Sequence, residues 1–543
     1  MNSRSERALA ADFGSLLAIC LLSSVTYLGG LGFYSDDWGI LHEFDSMWTA
    51  GINLARLFSD FNPRPLQGVY IATLYASFGH AALGYHAVNT LLLAVSICLL
   101  HLFLVQLGVG RSMAFAASAV TAVLPQLSTI RVWIASDQIT LSMALALVSL
   151  ICHLRFVRAR KAAWLLASVF TALLCVAAYE IFAPFIVLFG AVYALVDIRS
   201  GRPARQPILG LLPALSLALA GIVKGAVSNR LETRPGAYLV EARTFFRPAY
   251  DWRHDYGLNL FAALDVHFRA TFAAWTREFV EIFAGRVGVS VLIAASAAGA
   301  LTFCRIARAN RRDRAPLWIL FLLGLTTWVF GHGVFLVTEE IMFSPSGIAN
   351  RVLVAAAIGV GIMLVAFIAW MAGILPDHLR LPSFAFVIAF VVFVGTAQIA
   401  RAASYWVDAA VAQKRFLSTA RADLYRLPTG SIVIVDGLCP YDGPAIVLEA
   451  YWDTGGALSH ALGRDVRADV VSPRMFLREK GFATSIYGFR SFYPYSPGLY
   501  VYDPRVRRVT GLPDAASARR YFQHSARRPL RCPEGYVGQG VLI

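Results

Sequence analysis

Charge is what this sequence has least of. Only 15% of its 543 residues are charged, against 57% hydrophobic, and the mean hydropathy is +0.60. A soluble domain of that composition would expose large apolar surface, so a water-soluble protein is excluded and a polytopic membrane protein is implied. Phosphate- and nucleotide-binding signatures are missing as well. The chain has no Walker loop, no G-x-G-x-x-G fingerprint and no C-x-x-C pair, which removes the sequence grounds for a P-loop ATPase, a Rossmann enzyme or a dithiol module. Internal repeats and low-complexity tracts are also lacking. Cysteine is sparse, with seven in all. Cys20, Cys98, Cys152, Cys175 and Cys304 lie in or at the ends of apolar runs, where a thiol behaves as a small hydrophobe.

What is present is a succession of apolar runs. Segments of roughly 17 to 22 residues, enough to cross about 30 Å of hydrocarbon, recur along the first 400 positions. They predict about eleven transmembrane helices, over 13–32, 85–107, 112–127, 137–154, 163–179, 181–197, 207–226, 287–304, 316–337, 352–373 and 383–400. The first run follows Arg4 and Arg7, but no small-residue cleavage site comes after it and it exceeds a signal core in length. It is expected to be the first span.

The net charge of +15 is a matter of position. Arg111, then Arg155, Arg158, Arg160 and Lys161, then Arg199, Arg202 and Arg205, then Arg305, Arg308, Arg311, Arg312 and Arg314 fall in short loops on one side of the eleven-span arrangement. The positive-inside rule makes that side cytoplasmic, with the N-terminus inside and everything after Ile399 outside. Nucleic acid is not needed as a partner to explain the charge.

Composition shifts near residue 401, and two domains are expected: a transmembrane domain over 1–400 and an extracytoplasmic α/β domain over 401–543. The second opens with an amphipathic helix, Trp406 to Leu424, followed by the buried-strand pattern SIVIVDG. Cys439 and Cys532, the two cysteines of this polar region, are an expected disulfide in an oxidising compartment. Within the first domain, the outer loops 33–84 and 227–284 are expected to carry helices lying in the membrane interface. The second loop mixes aromatic and charged residues without a spanning run.

Polar residues crowd the outer ends of the spans: Asp36, Asp37, His42, Glu43, Arg64, His86, Asn89, Arg131, Asp137, Glu180, His332, Glu339, Glu340, Asn350 and Arg351. Ionisable groups at membrane depth are expensive and mark substrate paths. The stretch FYSDDWGILHEF, Phe33 to Phe44, is the most pointed case, because a helix starting near Trp38 needs one capping side chain and two acids precede it. One is expected to cap and the other to be free for chemistry. Glu339 and Glu340 lack the compact ligand spacing of a divalent-ion site, so no metal is expected.

YSDDW in the first outer loop, RPL at Arg64 to Leu66, FGHAALGYHAVNTLLL leading into the second span, AYEIFAPF at Ala178 to Phe185 and GIANRVLVAAA at Gly347 to Ala357 together resemble the GT-C superfamily of integral-membrane glycosyltransferases. The branch that looks closest contains protein O-mannosyltransferase-like enzymes and bacterial lipid-linked-sugar transferases. In relatives the Glu motif often reads Lys-Glu, whereas Tyr179 stands at the Lys position here. The resemblance implies transfer of a sugar from a polyprenyl-phosphate donor to a glycan, glycolipid or protein acceptor at the periplasmic face of a bacterial inner membrane, with membrane lipids as surroundings and no separate cofactor. It also implies roles. Asp36 or Asp37 would be the general base, with Glu180 orienting the acceptor or that acid, and Arg64, Arg131 and Arg351 would bind phosphate. His86, Asn89 and His332 are further candidates for substrate contact, unless they satisfy local helix ends. A transporter or flippase for an amphiphile, or a non-catalytic assembly subunit, remains the competing class. A transporter would carry its polar site near the midplane and often a repeated half.

Overall fold

The computed structural model describes residues 3–49, 51, 57, 60–61, 64–199, 205–231, 260–308, 317–333, 335, 343–472, 475–486, 489–525 and 532. Glu339, Glu340 and the central part of the 227–284 loop lie outside the described residues. The fold is mostly helical, that of a multi-pass membrane protein with an α/β domain at its C-terminal end.

The helices are α1 (Ser3–Leu22), α2 (Asp36–Thr49), α3 (Pro65–Phe78), α4 (Ala82–Gln106), α5 (Arg111–Ala122), α6 (Asp137–Ala159), α7 (Ala162–Ala178), α8 (Ala183–Arg199), α9 (Arg205–Leu231), α10 (Thr271–Phe283), α11 (Val289–Ala307), α12 (Leu317–His332), α13 (Val354–Gly373) and α14 (Asp377–Leu424). Among the described residues five helical stretches are long and apolar enough to cross a membrane, and α5 with the helical turns after it adds a sixth that bends by 58°. Shorter apolar helices coincide with the expected spans at 163–179, 181–197, 207–226 and 316–337. The count of eleven is therefore not reproduced. The expected first span at 13–32 ends its helix at Leu22 and continues as turns, and the span at 112–127 breaks before Pro125, whose ring cannot continue the hydrogen-bond ladder.

The side of the bundle bearing the basic loops is fastened by one acid. Asp12 on α1 accepts from Arg305 Nε at 3.0 Å and from Arg111, and lies 3.2 Å from His101 Nε2. Residues 260–264, a π-helical turn at Asp265–Ala270 and α10 follow one another, and Phe261, Phe268, Phe272, Phe279 and Phe283 stay exposed at near-helical spacing. That stripe suits an interfacial helix facing lipid.

The expected boundary at 401 falls inside α14, a single 48-residue helix. At about 1.5 Å per residue it runs about 70 Å, so the change at 401 is one of side chains rather than of backbone. The C-terminal domain contains helices α15 (Tyr451–Leu462) and α16 (Ala515–Ser525). Its main sheet has four strands, β1 (Ile432–Val435), β2 (Arg467–Val470), β3 (Leu499–Asp503) and β4 (Arg508–Gly511), in the order β2, β1, β3, β4 and parallel except for β4. Sγ atoms of Cys439 and Cys532 are bonded, with Cα atoms 5.6 Å apart.

This domain shares a hydrophobic core with the first outer loop. Phe33, Trp38, Leu41 and Tyr85 are buried in one cluster with Phe416, Val433, Leu448, Ala457 and Tyr502. Gly456 on α15 lies against the Trp38 carbonyl, where a Cβ would collide, so glycine permits α15 to approach α2 closely.

Candidate active site

The two acids after Tyr34 part company at once. Asp37 is buried, and its carboxylate accepts the backbone N–H of Tyr34 at 2.9 Å and of Ala135 at 2.7 Å. It ties the residue two positions before α2 to the segment before α6, and no N–H of α2 is among its donors. Asp36, the first residue of α2, is exposed and has no hydrogen-bond partner among the described residues. Burial pushes the Asp36 carboxyl above the usual carboxylate range, and the nearby Arg351 guanidinium partly offsets this.

The turn that aims Asp36 is strained. Ser35 has φ +47°, in the left-handed region that side chains other than Gly, Asn and Asp seldom adopt, and its hydroxyl donates to Glu449 Oε1 at 3.1 Å. Glu449 belongs to the C-terminal domain, so that domain holds the backbone conformation preceding the free acid.

Arg351 lies in the turns before α13, with its guanidinium 5.1 Å over the Trp133 ring and donating to the Ile348 carbonyl at 3.1 Å. The Trp133 indole in turn donates to the Tyr34 carbonyl at 3.0 Å. Residues separated by hundreds of positions, Tyr34, Asp36, Trp133 and Arg351, thus form one wall.

Arg64, at the N-terminal end of α3, makes a two-pronged pair with Glu180, NH2 to Oε1 at 2.9 Å and Nε to Oε2 at 3.3 Å. Its guanidinium also stacks 4.0 Å over the Tyr179 ring. The residue standing where relatives carry Lys therefore supports a neighbouring cation instead of supplying one. Glu180 occupies the junction between α7 and α8.

The other expected positions are buried. Arg131 is buried, with NH1 donating to Ser23 and Ser24 hydroxyls at 3.0 Å each and NH2 to the Ala122 carbonyl, so helix ends, rather than a recess, take up its guanidinium. Nε2 of His86 lies 2.9 Å from the Gly32 carbonyl, and Asn89 donates to the Ile130 carbonyl. His332 is buried against His267, Trp328 and Phe343 with ring centroids 4.7, 5.4 and 5.3 Å away.

Two groups without an assigned role join the site. Asp137 is fully buried with neither carboxylate oxygen hydrogen-bonded, close enough to Asp37 for their charges to interact. The Tyr70 hydroxyl, near Asp137, is likewise buried and unpaired among the described residues. Both ring nitrogens of His332 and Nε of Arg131 are also buried without a partner among the described residues. Sequence offered only the position of Asp137 at a span end; Tyr70 carried no signal.

An apolar groove of about 460 Å³ runs between α10, α12 and α13, lined by Phe268, Phe272, Trp275, Trp328, Met363 and Phe367. Gln126, in the break after α5, donates to Thr271 at 2.5 Å and so links the groove to the segment carrying Trp133.

No family model and no curated protein matches the chain. Similar solved structures include an oligosaccharyltransferase and ArnT. One is the oligosaccharyltransferase of Archaeoglobus fulgidus tethered to an acceptor peptide, at 11% identity and TM-score 0.38, covering 85% of this chain; the chain spans 64% of that protein's length. Another is ArnT from Cupriavidus metallidurans bound to undecaprenyl phosphate, at 14% identity and TM-score 0.37, covering 83% of this chain and 85% of the other. Its apo form gives 15% identity, TM-score 0.35 and coverages of 83% and 84%. At such scores the likeness is one of general arrangement, and the chemistry rests on this chain's own residues.

Proposed function

We propose that this protein is a glycosyltransferase moving a sugar from a polyprenyl-phosphate donor to an acceptor hydroxyl at the periplasmic face of a bacterial inner membrane. The observation that carries the reading is the division of labour between adjacent acids: Asp37 is consumed by backbone N–H groups, while Asp36, near enough to Arg351 for their charges to interact, has no hydrogen-bond partner among the described residues. Asp36 takes the acceptor proton. The acceptor oxygen attacks the anomeric carbon, the bond from that carbon to the phosphate oxygen breaks, and the polyprenyl phosphate leaves with the electron pair toward Arg351. Arg64, shared with Glu180, is the second cation available to phosphate, and the groove lined by Phe272, Trp328 and Phe367 suits an isoprenoid tail.

A transporter reading is less favoured, because Asp36, Arg64, Glu180 and Arg351 all sit at helix ends or junctions rather than within helices. Purified protein incubated with a labelled polyprenyl-phosphate sugar should release or transfer the label, and D36N should not. Vectorial movement of the intact donor with no sugar release would establish the transporter instead.

A further inference from the structure

A second recess, of about 460 Å³, opens where the first outer loop meets the C-terminal domain, and chelating side chains from three elements meet there. Asp45 comes from α2, His80 from the turn between α3 and α4, and His460 from α15. One carboxylate oxygen of Asp45 and one ring nitrogen of each histidine all lie within 4.8 Å of one another. His80 Nε2 is 2.9 Å from Asp45 Oδ1, and the two imidazoles stack with centroids 3.9 Å apart.

The bland explanation is a hydrogen-bonded Asp-His pair with a second ring resting on it, but three features exceed it. Nδ1 of His80 is buried with no partner, so the ring is not satisfied by its one contact. Asp45 is oriented from behind by the Tyr75 hydroxyl, which donates to it at 2.5 Å, the kind of support that fixes a metal-ligating carboxylate. The nearest competing cation, Arg464, is turned to the Leu424 carbonyl at 3.1 Å rather than toward the carboxylate.

We propose that Asp45, His80 and His460 form a site for a transition-metal dication, and that Zn²⁺ is the ion this two-imidazole, one-carboxylate donor set fits. Zn–N and Zn–O bonds of about 2.0 to 2.2 Å place tetrahedral donors about 3.3 Å apart, so the His80–Asp45 edge of 2.9 Å opens slightly and the wider separations close through side-chain rotation and unstacking of the rings. Mg²⁺ and Ca²⁺ prefer all-oxygen shells and are poor candidates. Binding expels any proton shared between His80 and Asp45 and leaves a fourth position to water, with His42 and Asp465, 3.4 Å from each other, across the same recess. The ion would clamp α15 to α2, the helix whose first residue is Asp36. This site does not depend on the glycosyltransferase reading.

The test uses the full-length, untagged protein in detergent, stripped with chelator and then titrated with ZnCl₂. Elemental analysis after desalting should find about one Zn²⁺ per chain in wild type, and H80Q and H460Q should each weaken binding about tenfold or more, the scale on which a lost ligand acts. Zn²⁺, but not Mg²⁺, should raise the wild-type Tm by several degrees and leave that of H460Q unmoved. His460 is exposed, so its variant is expected to fold. Less than about a tenth of an equivalent bound, or equal Zn²⁺ affinity in wild type and H460Q, overturns the proposal.

Discussion

Asp12, on the side of the basic loops, and Asp36, on the side of the C-terminal domain, are acids of one short stretch of chain with opposite surroundings. Asp12 is buried and saturated, with Arg111, Arg305 and His101 converging on it. Asp36 has the Arg351 charge near it and no hydrogen bond among the described residues. Away from water an ionised carboxylate is costly unless paired, so an acid with only a structural duty is given partners, and one left short marks a place where something else must bind. Asp137 and Tyr70 repeat the second pattern nearby.

The sharpest way to break this contrast is to neutralise each acid. D36N should lower sugar transfer by about a hundredfold or more, the usual scale for a general base, while leaving Tm in detergent within about 1 °C. D37N should act mainly on the fold, because it weakens the buried hydrogen bonds from Tyr34 and Ala135; a loss of about 1–3 kcal/mol is expected for buried bonds to a charged group. D36N protein with full activity would return both acids to structural duty. D12N should show the mirror image, a loss of about 1–3 kcal/mol, seen as lower Tm, with transfer per folded molecule unchanged. The figure stays modest because Arg111 and Arg305 are partly exposed and water screens them.

A smaller effect should come from Arg351, the one cation that lowers the Asp36 pKa. A base works when ionised, so transfer is present above the folded-state pKa of Asp36 and is lost as pH falls through it. Burial raises that pKa, and the acid limb of the pH profile should therefore lie above the ordinary carboxylate range of about 4. R351Q removes the opposing charge, so its limb should move to still higher pH, with an activity loss of about tenfold at neutral pH if the same guanidinium also holds phosphate. An unmoved limb would detach Arg351 from Asp36.

How much of this could be read from the sequence follows from what decides each feature. Apolar runs report hydrophobic length, so most helices lie where they were expected, and the capping argument singled out the Asp36–Asp37 pair because only one side chain can cap. Run length is blind to partners. Arg131 at a span end looked like Arg351 until Ser23, Ser24 and Ala122 were seen to occupy it. Nor does composition show that backbone hydrogen bonding continues: α14 crosses position 401 without a break although its side chains change from apolar to mixed. Glu449, which steadies Ser35 from 414 positions away, and the meeting of His80 with His460 depend on how α15 packs on α2, which no local pattern encodes.

The finest test of the contrast is Tyr70. Its hydroxyl is buried and unpaired among the described residues, within reach of the Asp137 charge, and the Asp137 oxygens are unpaired among them too. If that hydroxyl were merely an imperfection of packing, Y70F would relieve an unsatisfied polar atom, stabilise the protein by about 1 kcal/mol and leave transfer untouched. If the hydroxyl is kept for a ligand, the same stabilisation should appear together with a several-fold loss of transfer, expressed mainly in KM for the donor or acceptor. The two outcomes share the Tm shift and differ in the kinetics. A rise in Tm with unchanged KM and kcat would therefore show that an unsatisfied buried group need not be functional, and would leave Asp36 alone to carry the difference between the two ends of the bundle.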